Sequence, residues 1–237
     1  METINNLVNQ ITDTKQITNQ GKDFDLDKLV EKLQEHAWVL IPGFIIDHHN
    51  MYIFKLLTAY FSGHKYFTDE GYDSAKGIYL KGPIGTGKTT LMVFFGTYIH
   101  KYGVEKSKSF LTTSTRDISK KYAVDGFKAL EIYTKNSFQK KQTGYGETPI
   151  TSKPIHRCFD DFGLEDSSSK FYGQTSNVMA EVILDRYELY KKYGMLTHFT
   201  TNLGGGDDVE AVYGNRVRSR LREMVNVIEL YGDDRRK

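Results

Sequence analysis

The sequence holds a single cysteine, a single tryptophan and four prolines, and its 32 basic side chains almost balance its 30 acidic ones. The lone Cys158 excludes an internal disulfide framework and any multi-cysteine zinc site. Such sparing use of cysteine fits a reducing compartment. A net charge of +2 gives no bulk attraction to nucleic acid, so only local clustering would signal it. No apolar run approaches the ~20 residues of a transmembrane helix, and the polar stretch 1–20 lacks the apolar centre of a signal peptide. The expectation is a soluble, cytoplasmic chain with no membrane partner. Its 237 residues suit one α/β core with a small accessory segment rather than two large domains.

What the chain does contain is Gly82-Pro83-Ile84-Gly85-Thr86-Gly87-Lys88-Thr89, a full match to the phosphate-loop pattern G-x-x-x-x-G-K-[ST]. The glycines let backbone N–H groups approach phosphates, Lys88 reaches the β- and γ-phosphates, and the Thr89 hydroxyl ligates Mg²⁺. Gly77–Lys81 before the motif reads as a short strand. Thr90 and the apolar spacing at Leu91, Met92, Phe95 and Ile99 after it read as a helix. The helix N-terminus adds partial positive charge where the phosphates would sit, so the expected ligand is a nucleoside triphosphate with Mg²⁺.

Around this motif the chain divides by pattern. Residues 1–22 read as a loose helix or disordered arm, and Leu26, Leu29, Val30, Leu33 and Ala37 form one amphipathic stripe. Trp38–Ile46 reads as an extended apolar stretch against the core. A buried helix follows from Asp47–Asn50 to Ser62, closed by Gly63, and a polar connection covers 63–76. The domain division is drawn near Gly71, with a helical segment 1–70 that suits a partner and a core over 71–237. Beyond the motif, strands are expected at Ser109–Thr113, Ile155–Phe159, Leu196–Thr201 and Val227–Leu230. Lys140–Lys153 reads as a long loop. Helices are expected around Ile118–Tyr122, over Asp125–Tyr133, from a Ser176 cap to Lys192, and from Asp207 or Asp208 through Met224.

The third strand ends in Asp160-Asp161, the second half of the candidate site. A phosphate-loop enzyme needs a strand-end carboxylate for Mg²⁺, a role suited to Asp160. Asp161 is placed to act as general base on the attacking water. Asn202, after the fourth strand, suits either a hydrogen bond to the γ-phosphate or water, or a plain turn. Cys158 within the strand reads as an inert buried thiol. Arg216, Arg218, Arg220 and Arg222 make the densest basic cluster, with Arg216 and Arg220 on one helical face.

Taken together, Gly77–Leu80 with the phosphate loop, Asp160-Asp161-Phe162-Gly163, Asp185-Arg186-Tyr187 and Thr200-Thr201-Asn202-Leu203 resemble an AAA+ ATPase. The run from Tyr213 to Leu221, with Gly232 and Arg236 beyond it, is similar to the bacterial helicase-loader and transposition-helper (DnaC/IstB-like) group. The resemblance implies a parallel five-stranded sheet flanked by helices without a C-terminal helical lid. It gives Asp160 and Asp161 the Walker B roles and Asn202 the sensor-1 role. Arg220 becomes an arginine finger that acts on a neighbouring subunit in a ring or helical oligomer. Arg236, or Arg235, becomes the sensor-2 arginine, although Asp233-Asp234 departs from the usual spacing. The implied partners are a replicative helicase and single-stranded DNA. An IstB-like helper on duplex DNA, a small-molecule kinase and an assembly switch without useful turnover are the alternatives.

Overall fold

The computed structural model describes residues 24–102, 108–139, 141–143, 146–148, 153–165, 169–171 and 174–235. The expectation for residues 1–22 and the Arg236 assignment lie outside the described residues. The chain forms two compact units, Met1–Ser74 with Gly85–Ser109 and Leu230–Lys237, and Ala75–Ile84 with Phe110–Glu229.

In the first unit, helix α1 (Leu26–Leu40) starts at Asp25, whose carboxylate accepts the Lys28 amide at 3.0 Å. This satisfies one donor that the helix itself cannot. The stripe from Leu26 to Ala37 is buried as its spacing requires. The extended stretch expected at Trp38–Ile46 is corrected. The helix continues to Leu40 and turns Trp38 and Val39 outward, 60% and 50% exposed, while Phe44 is buried. At 100° per residue the two positions after Ala37 leave the apolar stripe, so apolar character alone does not bury them.

Helix α2 (Met51–Ser62) is buried on most sides and ends at Gly63 with φ 71°. The polar connection beyond it contains a one-turn helix, α3 (Tyr66–Asp69), anchored by buried Phe67. Helix α4 (Lys88–Tyr102) packs on α2 through aromatic pairs, Phe54 with Phe94 at 5.6 Å and Phe61 with Phe95 at 5.1 Å between centroids. Such tilted and offset pairs add to the area they bury.

The second unit holds a five-stranded sheet built from β1 (Gly77–Lys81), β2 (Phe110–Ser114), β5 (His156–Phe162), β8 (Thr197–Thr201) and β9 (Val225–Glu229). Its order is β2-β5-β8-β1-β9 and every pair is parallel. Parallel neighbours need crossover connections, here supplied by α5 (Thr115–Asp125), α6 (Val178–Tyr193), α7 (Gly206–Tyr213) and α8 (Asn215–Met224) among others. The expected five-stranded parallel sheet flanked by helices is therefore present. Among the described residues no helix follows β9 and none is long and apolar enough to cross a membrane.

Several local expectations are corrected. Gly126–Tyr133 is a 3-10 helix. The loop at Lys140–Lys153 contains an antiparallel pair, β3 (Lys141–Thr143) and β4 (Gly146–Thr148). Ser176 ends β7 (Gln174–Ser176), a strand paired with β6 (Ser169–Phe171), so the α6 cap falls on Asn177. Its side-chain carbonyl accepts the Ala180 amide at 3.1 Å while its side-chain amide donates to Val212 O at 2.9 Å, a second anchor. The single terminal helix is two helices, because Gly214 at φ 83° turns the chain between Tyr213 and Asn215.

A fully buried arginine ties this unit together. Arg186 donates from Nε to Thr197 Oγ1 at 2.7 Å, from Nη1 to Tyr133 O at 2.7 Å and from Nη2 to Leu196 O at 2.8 Å. Burial, and then the charge of Arg157, lower its pKa to about 9.

Candidate active site

Parallel strands put all their C-terminal ends on one edge of a sheet, and ligands of open α/β sheets bind at that edge. Along it, β5 carries Asp160 and Asp161, β8 leads into Asn202, and β1 leads into Gly82. Because β8 lies between β5 and β1, Asn202 follows the strand that separates the two acidic residues from the start of the phosphate loop. The Gly82 amide donates to Thr201 O at 3.2 Å, which continues the β1–β8 ladder into the motif. Lys81 donates to Gly204 O at 2.8 Å and pairs with Glu229 at 3.0 Å, holding the turn after Asn202.

Asp160 and Asp161 are held by a β-bulge. Phe159 pairs with Phe199 and Phe162 with Thr201, so two residues of β5 face the single residue Thr200. Asp161 takes up the difference at φ 58°, the one non-glycine at positive φ among the described residues. That conformation costs about 1 kcal/mol or more and persists where the surroundings over-determine it. Here its carbonyl accepts from Thr115 Oγ1 at 3.0 Å and from the Leu164 amide at 3.0 Å, and its own amide donates to Thr200 Oγ1 at 3.0 Å.

Thr200 then donates to Asp160 Oδ1 at 2.5 Å. A hydroxyl has one proton, and the Asp161 amide can only donate, so the Thr200 proton is committed to Asp160. The fully buried threonine thus fixes one carboxylate and the backbone of the next residue. Both aspartates remain half-buried and accessible.

Further along, Phe162 stacks on Tyr213 at 4.4 Å and 9°, and the Tyr213 hydroxyl donates to Glu165. The Gly163 amide donates to the same carboxylate at 2.9 Å. Burial, and next the charge of Glu165, push the Tyr213 hydroxyl pKa well up, so it acts as a donor. Cys158 is fully buried, and burial followed by the charge of Asp160 raises its thiol pKa, in keeping with an inert role.

Of the phosphate-loop residues, Gly82, Pro83 and Ile84 belong to the second unit and Gly85, Thr86, Gly87, Lys88 and Thr89 to the first. Gly85 and Gly87 take φ 82° and 92°, a conformation that glycine alone adopts without strain. Helix α4 begins at Lys88, and its ladder starts with the Leu91 amide donating to Gly87 O at 2.9 Å. Thr86 and Lys88 are buried, Thr89 is exposed and Thr90 is half-buried. Among the described residues no group of three or more His, Cys, Asp or Glu side chains could hold a metal ion by itself. Mg²⁺ keeps several of its waters and takes further oxygens from phosphate, so a hydroxyl such as that of Thr89 or a carboxylate such as that of Asp160 is the chemistry it accepts from protein.

Of the arginines, Arg220 lies 4.4 Å over the Tyr187 ring and 3.7 Å from Glu223, and Arg218 pairs with Asp207 at 3.3 Å and with Glu210. Arg216 and Arg222 are exposed. In the first unit, Arg235 donates to Ile45 O at 3.0 Å and to Asp47 Oδ1 at 2.6 Å.

Sequence reading did not single out Thr200 for the acidic pair, nor Thr115, Glu165 and Tyr213. A buried threonine at a strand end looks like any β-former until its cross-strand neighbour is known.

No protein-family model matches the sequence, and no curated protein matches it either. Among solved structures, the chain is similar to the DnaC helicase loader at 18% identity, covering 83% of this chain and 99% of that one with a TM-score of 0.49. It is similar to DnaI at 19% identity, over 79% and 87% of the two chains, with a TM-score of 0.49. A third likeness is to AMPPCP-bound DnaA from Aquifex aeolicus, at 16% identity over 80% of this chain and 49% of that one, with a TM-score of 0.48.

Proposed function

We propose that this chain is an AAA+ ATPase of the helicase-loader type, acting in DNA replication, whose nucleotide state controls its hold on a replicative helicase and on single-stranded DNA. The observation that carries the reading is the complete phosphate-loop motif at the C-terminal end of a parallel strand with a neighbour on each side. The bulged acidic pair on the same sheet edge supports it.

In this reading Gly82–Thr89 and Thr90 cradle the triphosphate, and Lys88 neutralises charge on the β- and γ-phosphates. Thr89 and Asp160 would hold Mg²⁺, which when bound would supply further neutralisation of charge on the phosphate oxygens. Asp161 accepts a proton from water as its oxygen attacks the γ-phosphorus, the bond to the β-phosphate oxygen breaks, and ADP leaves. Asn202 orients the water or the γ-phosphate. The Thr200 hydroxyl positions both aspartates. Arg220 acts on the nucleotide of a neighbouring copy, for which its guanidinium leaves the Tyr187 ring and Glu223. Arg236 remains the sensor-2 candidate.

The test is ATP turnover per subunit against protein concentration, with and without single-stranded DNA and a hexameric helicase. A rise with concentration or partner is expected. A rate per subunit that stays flat in every arm overturns the loader reading, and transfer of labelled phosphate to a small acceptor would establish a kinase instead.

A further inference from the structure

The C-terminal segment of the first unit returns to the phosphate loop. Its Arg235 amide donates to Gly85 O at 3.0 Å. The Asp234 carboxylate packs so closely on Gly85 that a Cβ there would collide with it. From the same short segment, the Arg235 guanidinium reaches Ile45 O and Asp47 Oδ1, between α1 and α2. Asp47 Oδ1 also accepts the His49 amide at 3.0 Å. Two consecutive residues therefore grip the phosphate loop on one side and the α1–α2 connection on the other.

A glycine-rich loop that opens a helix presents backbone N–H groups and a positive dipole end to anions. In this structure the anion packed on that loop belongs to the protein itself. A triphosphate brings several negative charges to the same loop, and like charges a few ångströms apart repel strongly where water is partly excluded. The two anions favour exclusive occupancy.

We propose that Asp234 is a built-in competitor for phosphate, and that Arg235 is the latch through which its displacement reaches the α1–α2 connection. Nucleotide binding moves Asp234 off Gly85 and breaks the Arg235 backbone bond. It thereby slackens the hold on Ile45 and Asp47. The segment so released borders the outward-facing Trp38 and Val39 of α1. This inference rests on the nucleotide-binding reading above and adds to it a regulated exit for the signal.

The experiment measures binding of a fluorescent ADP and a non-hydrolysable ATP analogue to the full chain, with and without Mg²⁺. It compares wild type with Asp234→Asn, Asp47→Asn and Lys88→Ala, and follows hydrogen exchange over residues 41–49. Removing the competitor is expected to tighten binding about three- to tenfold in Asp234→Asn, since apparent affinity scales with the fraction of open loop. Nucleotide is expected to speed exchange at 41–49 in the wild type. Asp47→Asn should show the faster exchange before nucleotide is added. Equal or weaker binding by Asp234→Asn overturns the inference, and weakening seen only with Mg²⁺ would make Asp234 a metal-site residue instead. Exchange at 41–49 that nucleotide leaves unchanged in the wild type overturns the latch. If the wild type binds no nucleotide, or Lys88→Ala binds as well, the nucleotide reading falls and takes the inference with it. If binding depends on Lys88 but Asp234→Asn matches the wild type, only the inference falls.

Discussion

Asp161 combines a strained backbone with a half-buried but accessible carboxylate, and the two properties can be separated by substitution. Asparagine tolerates the left-handed conformation, so Asp161→Asn keeps the bulge and removes only the base. Nucleotide affinity is then expected to stay within about twofold, while turnover falls about 10²- to 10⁴-fold. A stopped ATPase assay alongside equilibrium binding checks both. Thr200→Val deletes the hydroxyl at nearly constant volume and leaves the Asp161 amide without its partner. It should destabilise the fold by about 1–3 kcal/mol, read from the denaturant midpoint, and lower turnover as well. A loss of stability with unchanged turnover would mean that Thr200 holds the strand but does not position the aspartates. Asp160 and Asp161 were legible in sequence as an acidic pair at a strand end. Thr200 was not, because its role comes from a strand 40 residues away in sequence.

At the scale of elements, α1 shows how far periodicity carries and where it stops. The stripe from Leu26 to Ala37 predicted its own burial, since residues spaced three and four apart share one face. Trp38–Ile46 was misplaced because an apolar run does not reveal that a helix continues through its first three residues. His36 is buried in the same helix, and burial lowers its imidazole pKa below the ordinary 6.5, with Glu35 opposing and Lys32 reinforcing the shift. The neutral ring is the form that the fold favours, and the unfolded chain takes up the proton more readily. Stability is therefore complete above about pH 6.5 and declines as pH falls through the folded-state pKa. His36→Leu should flatten this acid limb, measured as hydrogen exchange of α1 amides between about pH 7 and 5. The break at Gly214 escaped a pattern-based reading for a related reason. The apolar spacing of Val209, Tyr213, Val217 and Leu221 continues across it, so a stripe that spans two helices resembles one.

For the whole molecule, the prediction concerns assembly. If Arg220 completes the site of a neighbouring copy, Arg220→Ala should reduce partner-stimulated turnover by about 10³-fold or more, and leave the slow basal rate of the dilute protein unchanged. Stimulated turnover that survives the substitution would remove the finger assignment. The sequence by itself determined the phosphate loop, the strand before it and the helix after it, because glycine, lysine and threonine at those spacings answer to local chemistry. It also determined the parallel α/β class, since alternating strand and helix patterns leave few other ways to bury both faces of a sheet. The tertiary structure decided the strand order, the bulge that aims Asp160 and Asp161, and the return of Asp234 and Arg235 to Gly85 and Asp47. These depend on which distant residues become neighbours, and hydrogen bonds and charge contacts between remote segments leave no period in the chain.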